Sequence, residues 1–350
     1  AQAVTSEPVP EPHLPELEPP LVVTVEGLQR LLHDPVGQFF KTRLKVQLDR
    51  EEQALEDHEP FDLSGLSHHV ALQHVLDGAR LSVSSLPLAA ALAALPTVLT
   101  ETTQRLQGEG RLPLAGFGRR WQAALQADAL NQLQRWLQVQ AQWPQAVAGG
   151  LSVTLPPSAL SASESLRLPS LYRGDAGLAL LGLNASRFCK TKLNGKDGLN
   201  LSKLKLNKLL GTWALAVLAA LQPEPVQVIV IARDVTLTWP PLGRDQAISI
   251  VAAWLQAWIA HVRKPLPVTA RSALIFLPIC AEKGEEVARL KAAESYDGGF
   301  SAGEKDRQPS LCRQFPDFDA LWQDGEFAHW AGVLYEPMLT ALQSGALVAI

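Results

Sequence analysis

The spacing of apolar residues predicts helices over the N-terminal part of the chain. From Leu21 to about Gln145, apolar residues recur every three or four positions, which is the period of amphipathic helices. Thr24 is placed to cap the first helix, and Pro35 ends or restarts it. The apolar stripes are Leu28, Leu31 and Leu32; Phe39, Phe40 and Leu44; Leu66, Val70, Leu72 and Val75 after a cap at Ser64; and Trp121, Leu125, Leu130, Leu133 and Leu137.

The pattern changes at Gly149 and Gly150, where apolar and polar residues begin to alternate. Residues 151–155 alternate as a half-buried strand does, and residues 163–168 predict a second strand. The β-branched run 226–232 is typical of a central strand, with 235–239 as its neighbour. Helices are predicted at 201–221, 245–261 and 326–342, and loops rich in glycine and charge at 281–311.

Helices followed by a small mixed sheet with flanking helices indicate an α/β fold. The first 20 residues hold six prolines and four glutamates, which is the composition of a disordered linker. We therefore expect a linker at 1–20, a helical subdomain at 21–148 and an α/β core with C-terminal helices at 149–350. Because the chain begins with Ala1 and its single methionine is Met338, we also expect a piece of a longer or processed protein.

Composition narrows the classes of function. The net charge is −4, whereas a chain that coats nucleic acid by charge alone is basic overall, so any such contact is local or shared with other subunits. The cysteines Cys189, Cys280 and Cys312 lie far apart, which predicts a reduced, cytoplasmic protein. The longest apolar run, 86–99, is too short to span a bilayer, so we expect no membrane contact.

The densest positive charge lies in residues 187–208, which contain seven cationic residues and one acidic residue, Asp197. We expect Lys203 and Lys205 in the first turn of a helix capped by Asn200 or Ser202. Cations there oppose the helix dipole, and a docked phosphate would reverse the penalty. The alternative is a solvated lysine face. The candidate DNA-binding residues are Lys190, Lys192, Lys196, Lys203, Lys205 and Lys208, with Arg187 beside them.

Arg119 and Arg120 form a second candidate DNA contact, because they precede Trp121, an aromatic residue that can stack on a base. The alternative for Trp121 is core packing. Trp254 and Trp258 share one helix face and predict either core or a subunit interface.

Other chemistry has little support in the sequence. His68, His69 and His74 are clustered, but no pair has the i,i+4 spacing that favours two metal ligands on one helix face, so a solvated helix is expected. The P-loop and serine-hydrolase motifs are absent from the sequence. We expect no metal and no cofactor in this domain.

Five segments, taken in order, resemble the C-terminal domain of the RecC family. Segment 22–40 is similar to an opening of helix, His-Pro and aromatic pair, although here Asp34 stands before the proline. The other four carry an EPF-x-L-x-GL stretch, a G-x-LP-x-G-x-FG turn, an aromatic-PPL stop and a Y-x-GG element. They lie at 59–66, 110–118, 239–242 and 296–300.

The resemblance covers about residues 21–345 and implies several properties. RecC is the gamma subunit of the RecBCD-type exonuclease V, a helicase-nuclease of recombinational DNA repair. The resemblance implies a PD-(D/E)xK nuclease-like core, RecB and RecD as partners, and contact with forked DNA or a duplex end where the strands are split.

The residues of a PD-(D/E)xK active site are not found where they are expected. Such a nuclease holds its metal with an Asp on one strand and an Asp or Glu on the next, and a lysine two residues after the second acid positions the water. RecB-like members add a helical His. Here those strands are 151–155 and 165–172. They carry Leu155-Pro156 and Pro169-Ser170 at these positions, and Arg119 and Arg120 stand where the His is expected.

We therefore expect a domain without catalytic activity of its own inside an exodeoxyribonuclease complex. Two alternatives stay open. One is an active metal-dependent nuclease with displaced ligands, for which Glu164 and Asp175 are the available acids. The other is a scaffold that does not contact DNA.

Overall fold

The computed structural model describes residues 23–46, 48, 65–113, 115–149, 151–155, 165–168, 171–191, 203–299, 301–345 and 347–349. The helices in this part of the chain are α1 Val25–His33, α2 Pro35–Thr42, α3 Gly65–Val83, α4 Leu88–Gly108, α5 Ala115–Gln140, α6 Leu206–Ala219, α7 Arg244–Arg263, α8 Ala270–Lys283, α9 Glu285–Asp297, α10 Pro309–Gln314, α11 Phe318–Trp322 and α12 Glu326–Gln343. The strands are β1 Gln145–Ala146, β2 Leu151–Thr154, β3 Ser165–Leu168, β4 Leu171–Gly174, β5 Gly177–Asn184, β6 Val226–Ala232, β7 Thr236–Trp239 and β8 Val348–Ala349.

A six-stranded mixed sheet lies at the centre, in the order β1-β4-β5-β6-β7-β8. β5 and β6 are parallel, with Leu178 opposite Val226 and Asn184 opposite Ala232, and the other neighbours are antiparallel. Helix α6 connects the parallel pair, because parallel neighbours need a crossover connection. The predicted central strand 226–232 is confirmed, and so is the mixed α/β class.

The short strands β2 and β3 form a separate two-stranded sheet. The placement of 151–155 and 165–172 as the first two strands of a nuclease-like sheet is therefore wrong. The second of these segments is divided, because residues 165–168 pair with β2 whereas residues 171–174 pair with β1 and β5. Of the positions compared with nuclease ligands, Leu155 follows β2 outside the central sheet, and Pro156, Pro169 and Ser170 lie outside the described residues. The PD-(D/E)xK core stays a prediction.

Helices cover both faces of the central sheet. Because side chains alternate along a strand, Val228 and Val230 pack on one face and Ile229 and Ile231 on the other. The first face packs against α1, α2, α6, α7 and the C-terminal helices, and the second against α3, α4 and α5. Helices α1 and α2 thus share a core with residues beyond 149, and the predicted division at 148 stays a prediction.

The first helix begins at its predicted cap, and the second is capped by Asp34, which is not among the predicted caps. The hydroxyl of Thr24 accepts the N–H of Gly27 at 2.9 Å, and the carboxylate of Asp34 accepts the N–H of Gly37 at 2.8 Å. Pro35 occupies the first turn of α2. A backbone N–H at this position has no partner within the helix, so its absence in proline costs no helical hydrogen bond. The predicted restart at Pro35 is confirmed.

One predicted stripe needs correction. In α3, Leu66 and Val70 are 73% and 53% exposed, and His68 and Ala71 are buried instead. The buried face of α3 is therefore turned away from the one that Leu66 and Val70 define. Ser64, the predicted cap of this helix, lies outside the described residues.

A second correction concerns residues 285–297, which form α9 although their composition predicts a loop. The buried stripe of this helix is Ala288, Ala292 and Tyr296, at i,i+4 spacing. Alanine is weakly apolar, so the stripe does not stand out among the charges of the segment. The final predicted helix, 326–342, is confirmed as α12.

The apolar run 86–99 lies mostly in α4, whose buried residues pack with those of α3 and α5. Among the described residues, every helix is too short or too polar to cross a membrane.

Candidate nucleic-acid interface

The parallel strands β5 and β6 end side by side, and the loops that follow them are bonded together. The carboxylate of Asp234 accepts the backbone N–H groups of Phe188 and Cys189, both at 2.9 Å. The N–H of Arg233 donates to the carbonyl of Ser186 at 3.1 Å. The loop after β5 is thereby fixed to the loop after β6.

Residues 188–190 also pair with residues 203–205. The N–H of Lys190 donates to the carbonyl of Lys203 at 2.7 Å, and the N–H of Lys205 donates to that of Phe188 at 2.8 Å. This antiparallel bridge brings three predicted lysines together beside the N-terminus of α6. Two others, Lys192 and Lys196, lie outside the described residues.

The bridge also corrects the predicted start of α6. The helix begins at Leu206 and not near 201, because the bridge at Leu204 interrupts the helical arrangement before it. Lys205 occupies the N-cap without a side-chain cap bond, and Lys208 lies in the first turn. Lys208 is thus the lysine whose charge is unfavourable, because it lies at the positive end of the helix dipole. The predicted caps, Asn200 and Ser202, lie outside the described residues.

We call Arg187, Lys190, Lys203, Lys205 and Lys208 the basic edge. Arg187, Lys190 and Lys208 are exposed, while Lys203 and Lys205 are partly buried. Within the described part of the chain, Arg187, Lys205 and Lys208 form no ion pair with a carboxylate. Lys208 also acts on α1, because burial and then the charge of Lys208 lower the pKa of His33.

The second predicted basic group lies at the start of α5. Arg119 and Arg120 are exposed, and Trp121 is partly buried. The ring centroid of Trp121 lies 5.3 Å from that of His68, with 58° between the ring planes. Trp121 thus packs on one neighbour while part of its ring reaches solvent.

His68 is 8% exposed, so the prediction of a solvated histidine is wrong for this residue. Its Nε2 atom lies 3.9 Å from the carboxylate of Asp128, which also binds the guanidinium of Arg233. Burial lowers the pKa of His68, and the charges of Arg233 and Arg187 act in the same direction, while Asp128 opposes them. The imidazole is therefore neutral at pH 7.

His68 links the two predicted groups. It contacts Trp121, and it lies within electrostatic range of Arg187 in the basic edge. The start of α5 and the basic edge therefore lie at the same end of the domain. The sequence predicts the two groups separately and holds no signal that joins them, because the junction depends on how α3 and α5 lie against the sheet.

Two polar side chains of α5 fix the helix to this end of the sheet. The amide of Gln132 donates to the carbonyls of Asn184 and Ile231 at 2.8 and 2.7 Å, and Arg135 donates to the carbonyl of Ala232 at 2.7 Å. Sequence reasoning misses both, since a glutamine and an arginine on a long helix are ordinarily solvated. Gln132 is fully buried here.

Acidic residues at this end are used in structural bonds. Asp234 holds the loop after β5, and Asp128 binds Arg233. Asp175 lies in the turn from β4 to β5, at the opposite end of the sheet, and Glu164 lies outside the described residues. Across the described ranges, no three His, Cys, Asp or Glu side chains converge as a metal site.

The paired tryptophans of α7 belong to the core. Trp254 is 1% and Trp258 is 5% exposed, and both pack in the cluster that includes α1 and α2. The ring atom Cη2 of Trp258 lies so close to Gly27 that a Cβ there would be only 2.7 Å away. Of the two predicted roles, the structure supports core packing.

Fold and site together define a mixed α/β domain with a basic end and, among the described residues, without a metal-binding cluster of acids. The sequence model of the RecC C-terminal domain family matches residues 20–278. This is more than half of the chain, so the chain belongs to that family.

A curated relative agrees with this assignment over a short stretch. The RecBCD enzyme subunit RecC of Escherichia coli strain K12 is 41% identical over 58 residues. The matched stretch is 17% of this chain and 5% of the relative.

Proposed function

We propose that this chain is a non-catalytic, DNA-contacting domain of a RecC-type subunit, with a nuclease-like core that does not cleave. In this proposal the basic edge binds phosphates of forked DNA or of a duplex end during double-strand break repair. The observation that carries it is the convergence of Lys190, Lys203 and Lys205 beside the N-terminus of α6.

Charge and geometry support phosphate binding at this place. Exposed cations at the start of a helix are unfavourable for folding, and a phosphate docked there would interact with both the cations and the backbone N–H groups of the first turn. Lys205 does not cap α6 with its side chain. The bridge with residues 188–190 holds the backbone of the lysines in one arrangement, so little order has to be gained on binding.

The partners proposed for this domain are RecB and RecD, because the curated relative is a subunit of an enzyme named RecBCD. Co-expression of the subunit that contains this chain with RecB and RecD tests this point. The expected result is one complex that elutes as a single species. Separate elution of the three chains would contradict it.

Binding of forked DNA, measured against salt concentration, tests the phosphate contact. Lys205→Gln combined with Lys208→Gln removes two cations of the basic edge and keeps helix-compatible side chains. Each lost contact to duplex phosphate lowers the slope of log K against log salt by about 0.9. We expect weaker binding and a slope reduced by up to about 1.8.

The matched control is Lys283→Gln combined with Lys291→Gln, which removes two exposed lysines from α8 and α9. It carries the same change in net charge, and we expect the wild-type slope. If both double variants behave alike, the basic edge does not contact DNA. A wild type that does not bind forked DNA at all would instead support the scaffold that the sequence leaves open.

The proposal that the domain does not cleave has its own test. Incubation with linear DNA and Mg²⁺ or Mn²⁺ is expected to leave the DNA intact. Degradation that disappears in Asp175→Asn or Glu164→Gln would establish the displaced-ligand nuclease and overturn the proposal. Degradation that survives both changes would point to a contaminating enzyme, and further purification until the activity is constant or lost decides that case.

A further inference from the structure

We infer that the first two turns of α5 form a stacking site for unpaired bases, so that this end of the domain takes single-stranded DNA. We call residues 116–121 the α5 tip. The inference rests on the proposed function, because it assigns the kind of DNA that runs along the basic edge and past Trp121.

The α5 tip continues the apolar stripe of the helix beyond the core. Leu125, Ala129 and Leu133 are fully buried in the cluster that includes α3 and the sheet. Trp121 and Phe117 lie four and eight positions before Leu125 on the same side of the helix. Trp121 is only partly buried and Phe117 is 51% exposed. The stripe that builds the core therefore continues into two aromatic residues that are not fully buried.

Helix geometry places these rings well past the end of the sheet. Gln132 bonds to the carbonyls of Asn184 and Ile231, which mark the ends of β5 and β6. Trp121 precedes Gln132 by 11 positions, which is about 16 Å along a helix. The α5 tip thus lies beyond the ends of β5 and β6, on the side of the sheet from which the loops of the basic edge leave.

One buried neighbour contacts Trp121. The ring of His68 lies 5.3 Å from it, and His68 is itself buried next to Asp128. Asp128 is bound in turn by Arg233 at the end of β6. A ring supported on one side by a neutral imidazole has lost much of its freedom already, so a base that stacks on its exposed part orders few additional groups.

Exposed cations lie on the same turns of α5 as the rings. Arg120 follows Phe117 by three positions, which places these two residues on one side of the helix, while Arg119 lies on the side away from Trp121. Arg187 lies within electrostatic range of His68. In the described ranges, these three arginines form no ion pair with an acid. Aromatic rings that alternate with cations fit a strand in which bases stack and phosphates are neutralised.

The same arrangement favours an unpaired strand over a duplex. In a duplex the faces of the bases are covered by their neighbours, so a side-chain ring reaches them only by unstacking a base step, which is unfavourable. A single strand offers its base faces without that penalty, and stacking on them tolerates any sequence. An apolar protein partner would gain little from the flanking arginines.

Two oligonucleotides of equal length separate stacking from phosphate contact. One is oligo(dT), and the other is an abasic strand with the same phosphates and no bases. We expect the subunit to bind oligo(dT) at least several-fold more tightly than the abasic strand. Trp121→Ala is expected to weaken oligo(dT) binding about tenfold, within the range for one stacked base, and to leave binding of the abasic strand unaffected.

Control variants distinguish stacking from loss of structure. Trp121→Phe keeps an aromatic face and is expected to restore most of the preference for oligo(dT). Phe117→Leu keeps an apolar side chain without the aromatic face and is expected to reduce that preference. Trp330→Phe, on α12, changes another partly buried tryptophan and is expected to have no effect on the binding of either strand.

The outcomes separate this inference from the proposed function. Equal affinity of the wild type for both strands, or equal loss for both in Trp121→Ala, overturns the stacking site while the phosphate contact stands. Absence of binding to both strands and to forked DNA overturns both. Tighter binding of a blunt duplex than of oligo(dT) overturns the assignment to single strands.

Discussion

The carboxylate of Asp234, just after β6, accepts the backbone N–H of Cys189 at 2.9 Å, from the loop after β5. The same carboxylate accepts the N–H of Phe188. One acid thus fixes the loop that leads into the basic edge. It acts as a structural residue at the end of the sheet, where an acid could be mistaken for a metal ligand.

The thiol of Cys189 is expected to be unreactive in this setting. Burial raises its pKa to about 11, and the nearby carboxylate of Asp234 adds to the effect. The thiolate is the reactive form, so at pH 7.5 only a very small fraction of Cys189 can react. Alkylation with iodoacetamide, mapped by mass spectrometry, should modify the exposed Cys312 and leave Cys189 unmodified.

Denaturant supplies the control for that prediction. In urea at a concentration that unfolds the protein, Cys189 and Cys312 should be alkylated at similar rates. Rapid modification of Cys189 in the folded protein would show that the loop after β5 opens on the time scale of the reaction. The bonds to Asp234 would then not hold the basic edge in place.

A buried glutamate replaces the missing side-chain cap of α8. The carboxylate of Glu304 accepts the hydroxyl of Thr269 at 2.7 Å, the hydroxyl of Ser272 at 2.8 Å and the N–H groups of Arg271 and Ser272. Because Glu304→Ala leaves these buried donors without an acceptor, it should lower the free energy of unfolding by about 3 kcal/mol. The midpoint of urea denaturation measures this change.

Glu304→Gln should fall between the wild type and Glu304→Ala, since one amide oxygen still accepts while the amide N–H₂ group faces donors. The comparison variant is Glu294→Gln, whose exposed carboxylate binds Lys291 on the surface of α9. It should leave the midpoint unchanged. An undiminished midpoint in Glu304→Ala would mean that water or another acceptor caps α8.

Stability should fall in mild acid because of His261. This residue is fully buried, its Nδ1 donates to the carbonyl of Trp258 at 2.8 Å, and burial lowers its pKa to about 4. The fold favours the neutral ring, so the stability from this group is present above the ordinary pKa of 6.5 and is lost as pH falls toward 4. The free energy of unfolding should be about 2 kcal/mol lower at pH 5 than at pH 7.5.

His261→Gln keeps a donor for the carbonyl of Trp258 and removes the titrating group. Its free energy of unfolding should change less between pH 7.5 and pH 5 than that of the wild type. His329→Gln, at an exposed position on α12, should keep the wild-type dependence. An unchanged dependence in His261→Gln would assign the loss of stability to other groups.

Asp34, the N-cap of α2, should change stability with pH in the direction opposite to that of His261. Burial raises its pKa, with Glu304 adding to the effect, while the N–H of Gly37 opposes it. The fold therefore favours the protonated acid, and ionisation of Asp34 lowers stability as pH rises above 3.8. Asp34→Asn keeps the cap without the charge and should be more stable than the wild type at pH 7.

The advantage of Asp34→Asn should shrink near pH 3.5, where Asp34 is itself mostly protonated in both states. Asp34→Ala should be less stable than the wild type at both pH values, because it removes the acceptor of the Gly37 N–H. Denaturation midpoints of the three proteins at the two pH values test both statements. Lower stability of Asp34→Asn at pH 7 would show that the charge itself stabilises α2.

Local elements whose signals lie within a few residues could be predicted from the sequence. Thr24 caps α1, the run 226–232 forms a strand, and α12 spans the predicted residues. Periodicity and capping depend on neighbours along the chain, so these elements could be predicted. The alanine stripe of α9 and the buried face of α3 could not, because weak or conflicting apolar signals are decided by what packs against them.

The contacts between residues far apart in the chain became evident from the fold. The pairing of residues 188–190 with 203–205 moved the start of α6 and gathered Lys190, Lys203 and Lys205. The separation of β2 and β3 from the central sheet changed where nuclease residues should be sought. Strand pairing and helix packing join positions far apart in the chain, and composition and spacing along one sequence carry no information about such contacts.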